Sequence, residues 1–190
     1  MGVTPALDAW EALEPADVAA LLDGFDRPWW IAGGWALDLR LGRRLREHAD
    51  VDVMILRRDQ EDLFRFLDGW ELRYATTEQT LEPWKGERLE PPVHGVWARR
   101  PESDSWTCEF LLDEADGDTW RYRRDPAVEL PLARLGRRIL APEVVLLYKA
   151  MDPGPKEHAV FSAVAPVLDP EARAWLRAAL PAGHPWKGRL

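Results

Sequence analysis

Trp30-Ile31-Ala32-Gly33-Gly34-Trp35-Ala36, followed after a basic loop by Arg46-Glu47-His48-Ala49-Asp50-Val51-Asp52-Val53, is the stretch on which the reading turns. Its first half reads as a short buried strand over 29–32, a Gly33-Gly34 turn, and a helix over 35–41 that Gly42 stops. Its second half reads as a strand over 50–55. Side chains alternate on a strand, so Asp50 and Asp52 share one face, while Val51, Val53 and Ile55 share the other, toward a core. Two carboxylates held side by side repel each other, and a divalent cation compensates for that. Mg²⁺ takes one or two carboxylates plus phosphate oxygens and water, and paired ions activate an attacking oxygen and steady a leaving one. The plainer alternative is an exposed strand face on which Asp is merely solvated. The glycine pair weighs against it. Glycines let backbone N–H groups approach phosphate closely, and a helix N-terminus favours negative charge. One element would cradle a triphosphate and the next would hold its metal.

Outward from this stretch, the pattern is helical from Pro15 to Gly24. Downstream, 59–67 reads as a helix capped by Asp59, and 70–75 as a strand. Residues 76–95 are polar and proline-bearing, with at most one strand. Strands follow at 93–98, 105–112 and 119–122. From Pro142 onward the pattern is helical: 142–150, 156–168, and a third helix through Leu180 opened by Asp169-Pro170-Glu171, an N-cap, a helix-start proline and a first-turn acid. The fold class is therefore α+β, with a core over 1–128 and a C-terminal helical part over 139–190.

Composition bounds the partners. The 190 residues are 46% apolar and carry a formal charge of −8, enough for a packed core and unsuited to displacing counterions from duplex DNA. Nucleic acid is disfavoured, and an acidic surface attracts a cationic small molecule or simply aids solubility. A single cysteine, Cys108, excludes an internal disulfide and a cysteine zinc cluster, and its apolar surroundings suit buried filler. Residues 1–10 lack the pattern of a leader, and no apolar run approaches the ~20 residues of a membrane span. A cytoplasmic enzyme is the expectation; the oligomeric state is open.

At this point the chain resembles a known family. The run from Trp30 through Asp38, then Leu41-Gly42-Arg43, then Arg46 through Val53, is similar to the signature of antibiotic nucleotidyltransferases, above all aminoglycoside 2''-adenylyltransferases and lincosamide nucleotidyltransferases. The likeness is dense over 29–56 and thins afterwards. It implies the nucleotidyltransferase fold (a small mixed β-sheet flanked by helices), with ATP as donor, Mg²⁺ as cofactor and a small-molecule acceptor. It also implies a third carboxylate on a later strand. In 106–113 the apolar face is 106, 108, 110 and 112, which leaves Glu109 on the opposite face in mid-strand. Asp113 shares that face about 13 Å further along, at ~3.3 Å per residue, so Glu109 is preferred. The residue aligned with the family's acidic base is Thr107, a departure that bears on the base.

The resulting site has Asp50, Asp52 and Glu109 as catalytic and metal-binding acids. Gly33, Gly34, Arg46, His48 and Lys149 are the nucleotide-binding candidates. Arg46 and His48 would hold phosphate or order the loop, and His48 would equally serve as a hydrogen-bonded pin at the strand start. Lys149 would reach the β- or γ-phosphate, or snorkel at the surface. Asp38 is expected to pair with Arg40 or Arg43. Lys156 follows a Pro-Gly-Pro turn, but the acidic pair that relatives place after it is absent. The expected reaction moves AMP, or another nucleotide, from ATP to a hydroxyl of a cationic acceptor such as an aminoglycoside or a lincosamide. Two other readings remain: an antitoxin or regulator of the same fold acting on protein or tRNA, and a binding module without nucleotide chemistry.

Overall fold

A computed structural model of the chain describes residues 9–11, 13–78 and 80–190; most of the stretch read for a leader, 1–8, lies outside the described residues. Helix α1 (Pro15–Leu21) precedes strand β1 (Trp29–Ile31), helix α2 (Gly33–Leu41), strand β2 (Asp52–Leu56) and helix α3 (Gln60–Phe66). Strands β3 (Glu71–Ala75), β4 (Leu81–Pro83), β5 (Gly95–Arg99), β6 (Cys108–Asp116), β7 (Thr119–Arg121) and β8 (Glu129–Pro131) follow. Helices α4 (Pro142–Lys149), α5 (Pro155–Val164) and α6 (Pro170–Ala179) close the chain. The sheet runs β1-β2-β6-β5-β3-β4, with β7 added to the far end of β6 and β8 to β7. Strands β2 and β6 are parallel, with Asp52 opposite Glu109 and Leu56 opposite Asp113, whereas the other named strand pairs run antiparallel. This is a mixed sheet with flanking helices and a helical C-terminal region, as the α+β reading expects.

The sheet has two faces because its strands alternate. Val53, Ile55, Cys108, Phe110, Leu112, Val96 and Ala98 form one, closed by Val18 and Leu22 of the α1 region and Leu63 of α3. Met54 and Leu56 belong to the other, packed with Val144 and Leu147 of α4, Phe161 of α5 and Leu176 of α6. Trp186 stacks on Phe161 at 4.3 Å and anchors the C-terminus to this second core. The C-terminal helices thus share a core with the sheet and cover its second face beyond Met54.

Several boundaries differ from the sequence reading, for physical reasons. Strand β2 begins at Asp52, so Asp50 lies just ahead of it; β1 pairs only with 53–55 and β6 only with 52–56, and no ladder reaches residue 50. Gly33 and Gly34 form the first turn of α2, with Ala32 as an extended N-cap. Helix α3 starts at Gln60 without an Asp59 side-chain cap, because a tighter turn at Arg57–Asp59 comes first. That turn is held by the buried Arg57, which donates to Glu114 (2.5 Å), to the Leu89 carbonyl (3.0 Å) and to His94 Nδ1 (2.8 Å). Helix α5 ends at Val164, ahead of Pro166, which has no N–H to continue it. The Asp169 cap is as expected, accepting from Ala172 N at 2.8 Å. No helix is long and apolar enough to cross a membrane among the described residues.

Candidate active site

Asp52 is the first residue of β2, and its carbonyl accepts the Ala32 N–H at 2.9 Å. This ties β2 to the start of α2 and brings the Asp52 side chain under Gly33. A Cβ on Gly33 would stand 1.8 Å from Asp52 Oδ2, and Gly33 also holds φ +59°, so both the contact and the backbone demand glycine. Burial pushes the Asp52 carboxyl up to about 6; Asp50 adds to the rise, and Lys149 and Arg46 oppose it. Across the parallel register lies Glu109, pushed up to about 7 by burial first and then by Asp52 and Asp50. The Glu109 carboxylate lies over Gly95, where a Cβ would meet Oε1 at 2.5 Å. Trp97, opposite Glu109 on β5, stands near enough to hold the carboxyl down in part, although its indole N–H makes no hydrogen bond of good geometry. Two glycines, one on each side, make the room in which two carboxylates stand together.

The second glycine of the pair makes room for a different side chain. A Cβ on Gly34 would lie 2.3 Å from His48 Cε1 and 3.1 Å from Arg46 Nη2. His48 is wedged there, with Nε2 2.7 Å from Asp38 Oδ2 and its ring 4.8 Å from Trp35, and both members of the pair are almost wholly buried. The partner of Asp38 is therefore His48, not Arg40 or Arg43. His48 reaches back from the basic loop to α2 because loop and helix start are both fixed by β2. Arg46 donates to the Glu47 carbonyl at 2.6 Å and shares a small recess with Gly34, His48 and Lys149.

Beside Asp52 opens a cleft of about 190 Å³ between the second face of the sheet and α4. Gly33, Asp52 and Met54 form one wall, Tyr148 and Lys149 the other, and Arg123 and Arg124 the rim. Burial lowers the Lys149 ammonium's pKa and Lys156 lowers it further, while Asp52 opposes both. Of the residues singled out from the sequence, Gly33, Asp52 and Lys149 line this cleft. Asp50 and Glu109 stand beside Asp52 outside its lining, and Gly34 of α2 shares a separate recess with Arg46 and His48. Asp113 does reach the cleft wall, but its carboxylate is already engaged: Trp120 Nε1 donates to one oxygen at 2.9 Å and the Tyr148 hydroxyl to the other at 2.6 Å. Thr107 is fully buried and its hydroxyl donates to Glu11 at 3.2 Å. Reading the sequence missed Arg123 and Arg124, whose signal was the dense basic run Arg121-Tyr122-Arg123-Arg124 directly after a strand.

The donor set suits a hard divalent cation: all oxygen, carboxylates that burden one another, and cations close by to receive phosphate. Among the described residues no three acid, histidine or cysteine side chains close around a single point. A magnesium that uses one or two carboxylates, with substrate and water oxygens for the rest, does not need three. The arrangement can bind a polyphosphate at Lys149 and Arg123, hold a cation at Asp52 with Asp50, and accept a proton at Glu109.

The model of the aminoglycoside-2''-adenylyltransferase family matches residues 16–86, from α1 past β4. A 2''-aminoglycoside nucleotidyltransferase of Escherichia coli is 50% identical over 149 residues, covering 63% of this chain and 84% of the relative; one of Klebsiella pneumoniae matches equally. The chain belongs to the aminoglycoside 2''-nucleotidyltransferase family. Its fold agrees with two solved structures: the antibiotic-resistance factor ANT(2'')-Ia in solution, at 22% identity and a TM-score of 0.56 over 86% of this chain and 87% of that one, and crystalline ANT(2'')-Ia with adenylyl-2''-tobramycin, at 21% and 0.54 over 86% and 92%. The chain is thus a nucleotidyltransferase enzyme, and the strand β6 and the residue before it supply its further acid. There Thr107 is neutral and buried, and Glu109, two residues on and on the same face, carries the charge.

Proposed function

We propose that this nucleotidyltransferase transfers AMP from ATP to a hydroxyl of an aminoglycoside, in a reaction that modifies the antibiotic. The observation that carries this reading is the Asp52–Glu109 pair, directly opposite each other on parallel strands, with Asp52 standing where the basic cleft meets Gly33. Asp52, with Asp50, would hold Mg²⁺, whose charge would neutralise the α-phosphate and relieve the repulsion between the acids. Lys149 neutralises the polyphosphate from the α4 side. The N–H groups at the start of α2, which has no side-chain cap, face the same ligand. Arg46 backs Lys149 from the recess they share, and the His48–Asp38 pair fixes that helix start.

Glu109 takes the proton of the attacking hydroxyl. Its carboxyl, pushed up to about 7, is basic enough to accept that proton and still ionised in part at neutral pH. The hydroxyl oxygen joins the α-phosphorus, the bond to the β-bridging oxygen breaks, and its electron pair leaves with pyrophosphate. Positioning and charge neutralisation supply the catalysis. The aminoglycoside acceptor is supported by the names of the 50%-identical relatives and by the acids around Glu109, which suit an ammonium-bearing sugar. The C-terminal helices serve as the wall that closes the nucleotide in. Mg²⁺-dependent release of pyrophosphate from ATP, measured over a panel of aminoglycosides and lincosamides, tests the reading. Release with an aminoglycoside, abolished by Asp52→Asn, is expected; release that appears only with a protein or tRNA acceptor, or none at all, refutes it.

A further inference from the structure

Arg123 is a guanidinium in an unusual setting. Among the described residues it makes no ion pair and no hydrogen bond, whereas most arginines in the sheet region are paired with acids. It is half-buried, lines the cleft together with Asp52 and Lys149, and lies over the Tyr148 ring at 4.9 Å. That ring cannot turn. The Tyr148 hydroxyl is held to Asp113 at 2.6 Å, Trp120 holds the same carboxylate at 2.9 Å, and Tyr122 packs edge-on at 5.0 Å. Asp113 is wholly enclosed, and burial raises its pKa, while the tyrosine and tryptophan donors oppose that rise. The charge of Arg123 favours the ionised carboxylates of Glu109 and Asp113 and disfavours protonation of His94. An unpaired cation on a rigid aromatic shelf, in a cleft that Lys149 and Arg124 also line, is a site for a doubly charged anion.

We propose that Arg123 binds the pyrophosphate portion of the nucleotide, together with Lys149, and that Asp113 and Tyr148 are positioning residues that hold it there. The proposal rests on the reading of the cleft as the nucleotide site and adds the residue that receives the leaving group. As the α-phosphorus takes the acceptor oxygen, the electron pair of the broken bond stays on pyrophosphate, and the guanidinium stands where that charge grows. Asp113 shares a strand face with Glu109 but acts differently. It anchors β6 to α4, and its oxygens are filled by hydrogen-bond donors.

The test is calorimetric binding of ATP, AMP and inorganic pyrophosphate to the intact protein and to Arg123→Gln, Arg123→Lys and Tyr148→Phe. Removing one charge-assisted contact to phosphate weakens binding by about ten- to a hundredfold. Arg123→Gln is expected to lose that much for ATP and pyrophosphate while its AMP affinity stays within about twofold. Arg123→Lys should recover part of the loss, because the charge returns without the planar fork. Tyr148→Phe keeps the ring and frees it from Asp113. It should lower the ratio of ATP to AMP affinity, which a role in packing alone would leave unchanged. Arg123 is half-exposed and unpaired, so its variants should fold, and circular dichroism checks this. If the unaltered protein binds ATP and Arg123→Gln binds ATP and pyrophosphate equally well, the inference is overturned and the proposed function stands. If the unaltered protein binds neither ATP nor pyrophosphate, both fall together.

Discussion

Asp52→Asn should make the protein more stable while it removes activity. Burial and the neighbouring Asp50 raise the Asp52 carboxyl from 3.8 to about 6 in the folded chain. A rise of about 2 in pKa corresponds to about 3 kcal/mol against the folded state once the group is ionised, as an upper bound, at about 1.4 kcal/mol per pKa unit. Asp52 is in part open to the cleft, and solvent there reduces the effect to about 1–2 kcal/mol. The sign follows from proton linkage. The folded state holds the proton more tightly than the unfolded one, so stability falls as pH rises from about 4 to about 6, and the full cost is present above that. An uncharged asparagine of the same shape escapes it. For a chain of this length, each kcal/mol moves Tm by about 2–4 °C, so a gain of about 2–8 °C is expected at pH 8 in chelator, vanishing below about pH 4. Thermal unfolding followed by circular dichroism, with and without Mg²⁺, measures it. Added Mg²⁺ should raise the Tm of the unaltered protein and leave the variant where it was. A variant less stable than its parent at pH 8 in chelator, or a gain that does not change with pH, would refute the argument that Asp52 is a strained carboxylate kept for binding a cation.

Gly33→Ala meets both a left-handed backbone and a 1.8 Å approach to Asp52 Oδ2; pyrophosphate release should fall at least a hundredfold, with a loss of about 1–3 kcal/mol in a denaturant titration. Gly24→Ala, whose φ is +88° with open space around it, should cost stability alone and leave the turnover number intact. His94 behaves oppositely to Asp52: burial, Arg123 and Arg57 push it down to about 4, so the unfolded chain takes up its proton first and stability drops as pH falls from about 6.5 to about 4. His94→Gln should flatten that part of the pH–Tm curve. His48→Ala leaves the Asp38 carboxylate buried without its partner and should cost about 3 kcal/mol, read as a lower denaturation midpoint.

Much of the site was legible in the chain because its chemistry is local. The strand–glycine–helix run and the acid-bearing strand after it were readable as parts of one site, and alternation alone put Glu109 on the face opposite Cys108 and Phe110. Helix starts at Pro15, Pro142 and Asp169 were readable from capping chemistry, which depends on residues next to one another. Other features were not readable, and each depends on a partner far away in sequence. Asp38 finds His48 rather than a nearby arginine because loop and helix converge on β2. Arg57 is swallowed by Glu114, Leu89 and His94, a set that no local pattern links.

Residue type and period, which act over a few positions, therefore determine on their own the α+β class and the shared face of Glu109 and Asp113. Only the tertiary structure decides which of those acids is free. Glu109 and Asp113 stand on the same strand face four residues apart; spacing favours Glu109 for the site but does not say what Asp113 does instead. The distinction comes from what packs against them: Trp120 and Tyr148 close over Asp113 and fill its oxygens, while Gly95, lacking a Cβ, leaves room for the Glu109 carboxylate itself. A buried carboxylate is bound by whichever donors the fold carries to it, and those come from strands and helices that meet only once the chain has folded.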